Sequence, residues 1–94
     1  MAAWLTERRL RRVAGRLRAR REELSTLDEQ IAHFRDEADE LALRAVVSDD
    51  LTARPQARDA GRHLEAMRRH REHLVAELAA LEARQDELLD QMTA

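Results

Sequence analysis

The feature that most constrains this chain is an apolar seam with a heptad rhythm. Leu10, Val13, Leu17, Arg20, Leu24, Leu27, Ile31, Phe34, Ala38, Leu41 and Ala45 follow one another in steps of three and four. Only Arg20 interrupts the apolar set. Ala57, Ala60, Leu64, Met67, Arg71, Leu74, Leu78, Leu81, Gln85, Leu88 and Met92 repeat the pattern, with Arg71 and Gln85 as the polar members. A 3.5-residue period held this long predicts helices that bury a stripe against a partner helix. Strands are excluded because their side chains alternate with a period of two.

Composition agrees with that reading. Aromatics are 2% of the chain, with Trp4 and Phe34 alone available, so a mixed globular core is not expected. The alphabet of Ala, Leu, Glu and Arg is that of long helices and coiled coils. Ninety-four residues allow one small domain. Cysteine is absent, which excludes disulfides and thiolate metal sites.

Between the two runs lies Ser48-Asp49-Asp50-Leu51-Thr52-Ala53-Arg54-Pro55, which holds the chain's single proline and several N-cap residues. Proline is tolerated in the first turn of a helix, where its missing N–H has no intrahelical partner. The spacing therefore predicts helix 1 over about 3–47, a turn over about 48–54, and helix 2 over about 55–92, its start falling within Asp50–Pro55 and capped by Asp50 or Thr52. A short turn between long amphipathic helices makes them antiparallel neighbours. The expected fold is all-α: an antiparallel two-helix coiled-coil hairpin.

Two registers place apolar positions opposite one another, with paired residue numbers totalling 98 or 105. The predicted turn favours 105. That register pairs Ile31 with Leu74, Leu27 with Leu78, Leu24 with Leu81 and Leu17 with Leu88, and sets Arg20 against Gln85 in one polar core layer. It also sets Arg21 facing Glu82 and Glu23 facing Arg84; Arg35 near Arg68 speaks against it. Gly15 is expected to let the first turns of helix 1 bend or fray.

Four features are candidates for function. The first is charge. Net charge is −2, yet residues 7–21 hold eight Arg and one Glu. Arg8, Arg9, Arg11, Arg12, Arg16 and Arg18 form a possible polyanion-binding set, for nucleic acid by phosphate neutralisation or for an anionic membrane with Trp4 and Leu5 as the anchor. The favoured expectation is internal neutralisation by Glu77, Glu82, Asp86, Glu87 and Asp90 of the second helix.

The second is the turn. Leu43, Val46, Val47 and Leu51 are apolar but off the seam, beside Asp49 and Asp50. A group of apolar residues with no seam to bury them marks a contact surface; the competing expectation packs Val47 and Leu51 locally over the turn. The third is the outer face of helix 2, where Ala76, Ala79, Ala80 and Ala83, with Val75 and Leu89 flanking the seam, suggest a homodimer forming a four-helix bundle. The fourth is histidine. His70 and His73, with His33 and His63 elsewhere, would need Glu37 as a third ligand to hold a metal, so solvated or salt-bridging roles are expected. No metal, cofactor or catalytic residue is assigned.

All 17 basic residues are Arg and none is Lys, the usage of a GC-rich genome. The segments Asp36-Glu37-Ala38-Asp39-Glu40, Leu43-Arg44-Ala45-Val46-Val47-Ser48 and Glu82-Ala83-Arg84-Gln85-Asp86-Glu87-Leu88-Leu89 resemble those of small helical-hairpin proteins of actinobacteria. That resemblance implies the fold and no activity. An acidic tip on a hairpin is also similar, on Asp49 and Asp50, to coiled-coil factors that enter the secondary channel of RNA polymerase; those factors carry a further globular domain, and here that role is an alternative. No apolar run approaches the ~20 residues of a membrane span, and no continuous apolar stretch marks a secretory leader, so a cytoplasmic location is expected. The leading expectation is a non-enzymatic interaction module or small regulatory adaptor that binds a protein partner and self-associates.

Overall fold

Residues 2–93 are described by a computed structural model. They form two helices and no strand: α1 over Ala2–Val47 and α2 over Ala53–Thr93, a two-helix hairpin. α1 continues without a break through Gly15. α2 opens at Ala53, within the span the turn chemistry allowed, so Pro55 sits inside the first helical turn. There its missing N–H is one of the four that lack an intrahelical acceptor anyway. Among the described residues no helix is long and apolar enough to cross a membrane.

Burial follows the heptads closely. Every seam position from Leu10 to Leu88 is buried or half-buried except Arg71. Thr6 and Ala53 are buried as well, each one step beyond the runs recognised in the sequence. Outside the seam, Ala14, Glu23, Ser48 and Glu77 alone among the described residues are shielded at all, and each is partly open. The period that predicted helices also selected the buried face, because only a 3.5-residue step keeps one stripe aimed at a partner helix.

Contacts divide the chain into two compact units. The first joins the part of α1 up to Leu24 to the part of α2 from His73 on; the second is Ser25–Glu72. In the first unit Val13, Leu17, Leu78, Leu81 and Leu88 form a continuous core, with Leu10 and Leu24 packed against it. Leu17 and Leu88 are its most enclosed members, at 1% and 0% exposure.

The second unit is built from smaller side chains. Leu27, Leu64 and Ala53 are its buried apolar residues. Ala38, Ala45, Ala57 and Ala60 occupy seam positions towards the turn. Small seam residues suit a connection of residues 48–52, because a short loop requires the helix axes to converge and bulky side chains would hold them apart. The turn is closed by its own polar groups. The Ser48 N–H donates to the Arg44 carbonyl (2.9 Å) and the Ala53 N–H to the Asp50 carbonyl (3.2 Å). The Gln56 N–H donates to the Thr52 carbonyl (3.2 Å), which makes Thr52 the N-cap residue of α2.

Arg21 meets Glu82 as the 105 total expects, but other contacts depart from it. That register would set Arg71 across from Phe34 and His63 across from Ala42. Arg71 instead bonds Asp28, a total of 99, and His63 meets Phe34, a total of 97. In the first unit Arg20 bonds Glu77, again a total of 97 and about two helical turns from Gln85. The polar layer of Arg20 and Gln85 is therefore not formed in the way the turn suggested: Gln85 is half-buried, and Arg20 is satisfied elsewhere. The reason is the turn, which ends before Ala53 and so moves the apex towards the N-terminus.

Candidate interaction surfaces

The turn surface lies in the second unit. Leu43, Val46, Val47 and Leu51 are 65%, 83%, 74% and 93% exposed. Those values exclude local packing of Val47 and Leu51 over the turn, which would have shielded them. Hydrogen bonds brace the backbone on either side of Leu51. The Asp50 Oδ1 accepts from both the Thr52 N–H and the Thr52 hydroxyl, each at 2.9 Å, while the Asp50 N–H donates to Ser48 Oγ at 3.0 Å. The segment is fixed from both sides, and the Leu51 side chain projects from a braced loop.

The two tip acids are consequently unequal. The Asp50 carboxyl is held below its ordinary value, first by the Thr52 N–H, then by the Thr52 hydroxyl, with a weaker pull from Arg44. Asp49 is exposed and outside this network. A small cleft of about 300 Å³ runs between Ala45, Ser48, Asp49, Asp50, Leu51 and Arg54.

The arginine cluster lies in the first unit, and its neutralisation is partial. Arg16 and Arg20 share Glu77, at 3.5 and 2.9 Å, and Arg21 reaches Glu82 at 3.3 Å. Arg20 also bonds Glu23 at 3.0 Å. Of the other acids expected to face the cluster, Glu87 pairs with Arg84. Arg8, Arg9, Arg11, Arg12 and Arg18 enter no ion pair among the described residues, and Arg8 stacks over Trp4 at 5.7 Å from the ring centre. The six-residue set named from the sequence thus splits, with Arg16 engaged internally and five guanidinium groups facing solvent.

Glu77 carries the electrostatic consequence. Its carboxyl is held below the ordinary 4.5, first by the hydrogen bond from Arg20, then by the charges of Arg20 and Arg16, against an opposing desolvation effect. Because the fold favours the ionised form of Glu77 and of Asp50, their contribution is complete above the unfolded values, near 4.5 and 3.8, and disappears as pH falls through the depressed folded values. Thermal unfolding followed by circular dichroism from pH 6 to pH 2 should therefore show a midpoint that falls below about pH 4.5. Glu77→Gln should shallow that fall; an unchanged pH profile in the variant would contradict the role of the Arg20–Glu77 bond.

Two contacts were missed in the sequence. Arg71, listed there as a polar seam residue, turns out of the seam to grip Asp28 through Nε at 2.6 Å. Phe34 takes His63 edge-on at 4.9 Å and His33 at 5.3 Å. Phe34 and His63, with Leu27, Gln30, Ala66, Met67 and His70, line an open, mostly apolar groove of about 430 Å³. The signal was present: the 98 total sets Phe34 against Leu64, the neighbour of His63. On α2, Ala76, Ala79, Ala80 and Ala83 are exposed, and Val75 and Leu89 are 42% and 47% exposed. No group of three or more His, Asp or Glu placed to hold a metal occurs among the described residues.

No family model, curated protein or solved structure matches this chain. The functional reading rests on these surfaces.

Proposed function

We propose that this chain is a non-enzymatic protein-interaction module: an antiparallel coiled-coil hairpin, paired on the 98 total, that docks a protein partner through its turn. The exposure of Leu43, Val46, Val47 and Leu51 around a hydrogen-bonded loop carries the reading. Large apolar side chains held out by a braced backbone lose little conformational freedom on binding, which favours them as anchors in a partner's pocket.

The pairing is supported by the contacts Arg20–Glu77, Arg71–Asp28 and Phe34–His63, whose totals of 97, 99 and 97 lie beside 98; Arg21 with Glu82, at 103, fits either register. Adaptor function and homodimerisation belong to the same proposal. A second copy covering Val75 and Leu89 would complete a four-helix bundle and add apolar burial to a narrow seam. The polymerase-channel alternative has less support, because Asp50 is already committed to Thr52 and leaves Asp49 as the outward acid. The test is quantitative co-purification: a partner held by the native chain should be lost when Val47 and Leu51 are made polar.

A further inference from the structure

The N-terminal part of α1 is amphipathic in sequence, and the fold decides which of its faces remains available. Its apolar stripe is spent: Val13 and Leu17 lie in the core at 8% and 1% exposure, and Leu10 packs against them. At about 100° per residue, Arg8, Arg11, Arg12 and Arg18 fall on the side turned away from that stripe, with Arg9 on the flank. All five are exposed, and none is in an ion pair among the described residues. The nearby acids Glu77 and Glu82 are already taken by Arg16, Arg20 and Arg21. The cluster has thus been sorted into an inner set that holds the hairpin and an outer set that faces solvent.

We infer that this outer arginine face binds the phosphate backbone of nucleic acid, without reading sequence. Charge complementarity is the argument. From Arg8 to Arg18 the helix rises about 15 Å, so five guanidinium groups occupy a length comparable to a few phosphates of one strand. Guanidinium presents a planar fork of donors suited to phosphate oxygens. An anionic membrane fits less well. An interfacial helix inserts an apolar face, and here that face is consumed in the core, leaving Trp4 and Leu5 as the exposed apolar residues of the segment. Bases are not read, because one aromatic side chain, already covered by Arg8, is too little to stack a strand.

The test uses the full chain and fluorescein-labelled random-sequence oligonucleotides, as duplex DNA, duplex RNA and single strands, read by anisotropy between 50 and 200 mM NaCl. If all five arginines engage phosphate, the logarithmic salt slope for duplex is about −4.5, so affinity falls by roughly 10²–10³-fold over that range. Converting Arg8, Arg11, Arg12 and Arg18 to Gln, a good helix former, should weaken binding at least tenfold and flatten the slope, with the helical circular dichroism unchanged. A second variant removes equal charge elsewhere, converting Arg54, Arg58, Arg62 and Arg68 to Gln. It should bind nearly as the native chain does. The inference is overturned if the two variants lose affinity equally, which would make the effect one of net charge. It is also overturned if no oligonucleotide binds at 50 mM salt, or if phosphatidylglycerol vesicles bind and nucleic acid does not. A turn variant with Val47 and Leu51 made polar should keep its nucleic-acid affinity, so failure of protein docking and failure of phosphate binding are read separately.

Discussion

Leu88→Ala should remove a large part of the stability of this protein, while Leu89→Ala, one residue away, should change the stability of the single chain little. Leu88 is fully enclosed in a core made with Val13, Leu17, Leu78 and Leu81, whereas Leu89 is 47% exposed. Truncating an enclosed leucine loses its transfer free energy and leaves a cavity, at a cost of about 2–5 kcal/mol. A domain of this size has on the order of 5–14 kcal/mol in total. The thermal midpoint should fall by on the order of 10–40 °C, measured by circular dichroism at fixed protein concentration. At a protein concentration low enough to keep the chain monomeric, equal losses at the two positions would show that the face bearing Leu89 is covered within one chain as deeply as the seam; a loss at Leu89 that grows with protein concentration is the sign of a second copy packed there. A small loss at Leu88 would mean that the core of the first unit is not formed by these residues.

The second large effect concerns binding rather than folding. Val47→Ser with Leu51→Gln should leave the thermal midpoint nearly unchanged, since both side chains are at least 74% exposed. The same double variant should weaken docking of a protein partner at least tenfold, because truncating one anchor residue at an interface costs upwards of about 1.4 kcal/mol. Equal amounts of native and variant protein, isotopically distinguished and exposed to the same lysate, give the ratio directly. A partner depleted tenfold or more on the variant supports the turn as the docking surface. Identical recovery of every bound protein by the two baits would remove the basis for it.

These two variants separate what the sequence could say from what it could not. The seam was legible residue by residue, because a buried stripe on a helix has a fixed period and burial leaves few alternatives to Leu, Ile, Val and Ala. Even the exceptions have physical causes. Arg20 stays on the seam because its long stem covers apolar surface while its head reaches Glu77. Arg71 leaves it for Asp28.

Register was not legible, because shifting one helix by a heptad still sets most apolar residues against apolar residues and changes chiefly the polar layers, the flanks and the turn. The start of α2 at Ala53 falls inside the span that the turn residues allowed, with Thr52 as its cap, but that span is too wide to choose between two registers one heptad apart. The turn surface was legible as apolar residues with no seam to hold them; that hydrogen bonds brace the backbone on either side of Leu51 required the structure. The arginine cluster was legible as a charge run. Its division into Arg16, Arg20 and Arg21 on one side and the solvent-facing five on the other depends on the pairing with α2.

The proposed antiparallel pairing is directly testable, because the chain has no native cysteine. Ala60→Cys can be combined with Ala38→Cys, a total of 98, or with Ala45→Cys, a total of 105; all three sites are small, half-buried seam positions. A disulfide requires Cα atoms within about 4.4–6.8 Å, so one heptad of slip decides which pair can close. Under mild oxidation at low protein concentration, the 38–60 pair should form an intramolecular disulfide and the 45–60 pair should stay reduced. Closure of 45–60 in preference to 38–60, or crosslinks only between separate chains, would contradict the pairing.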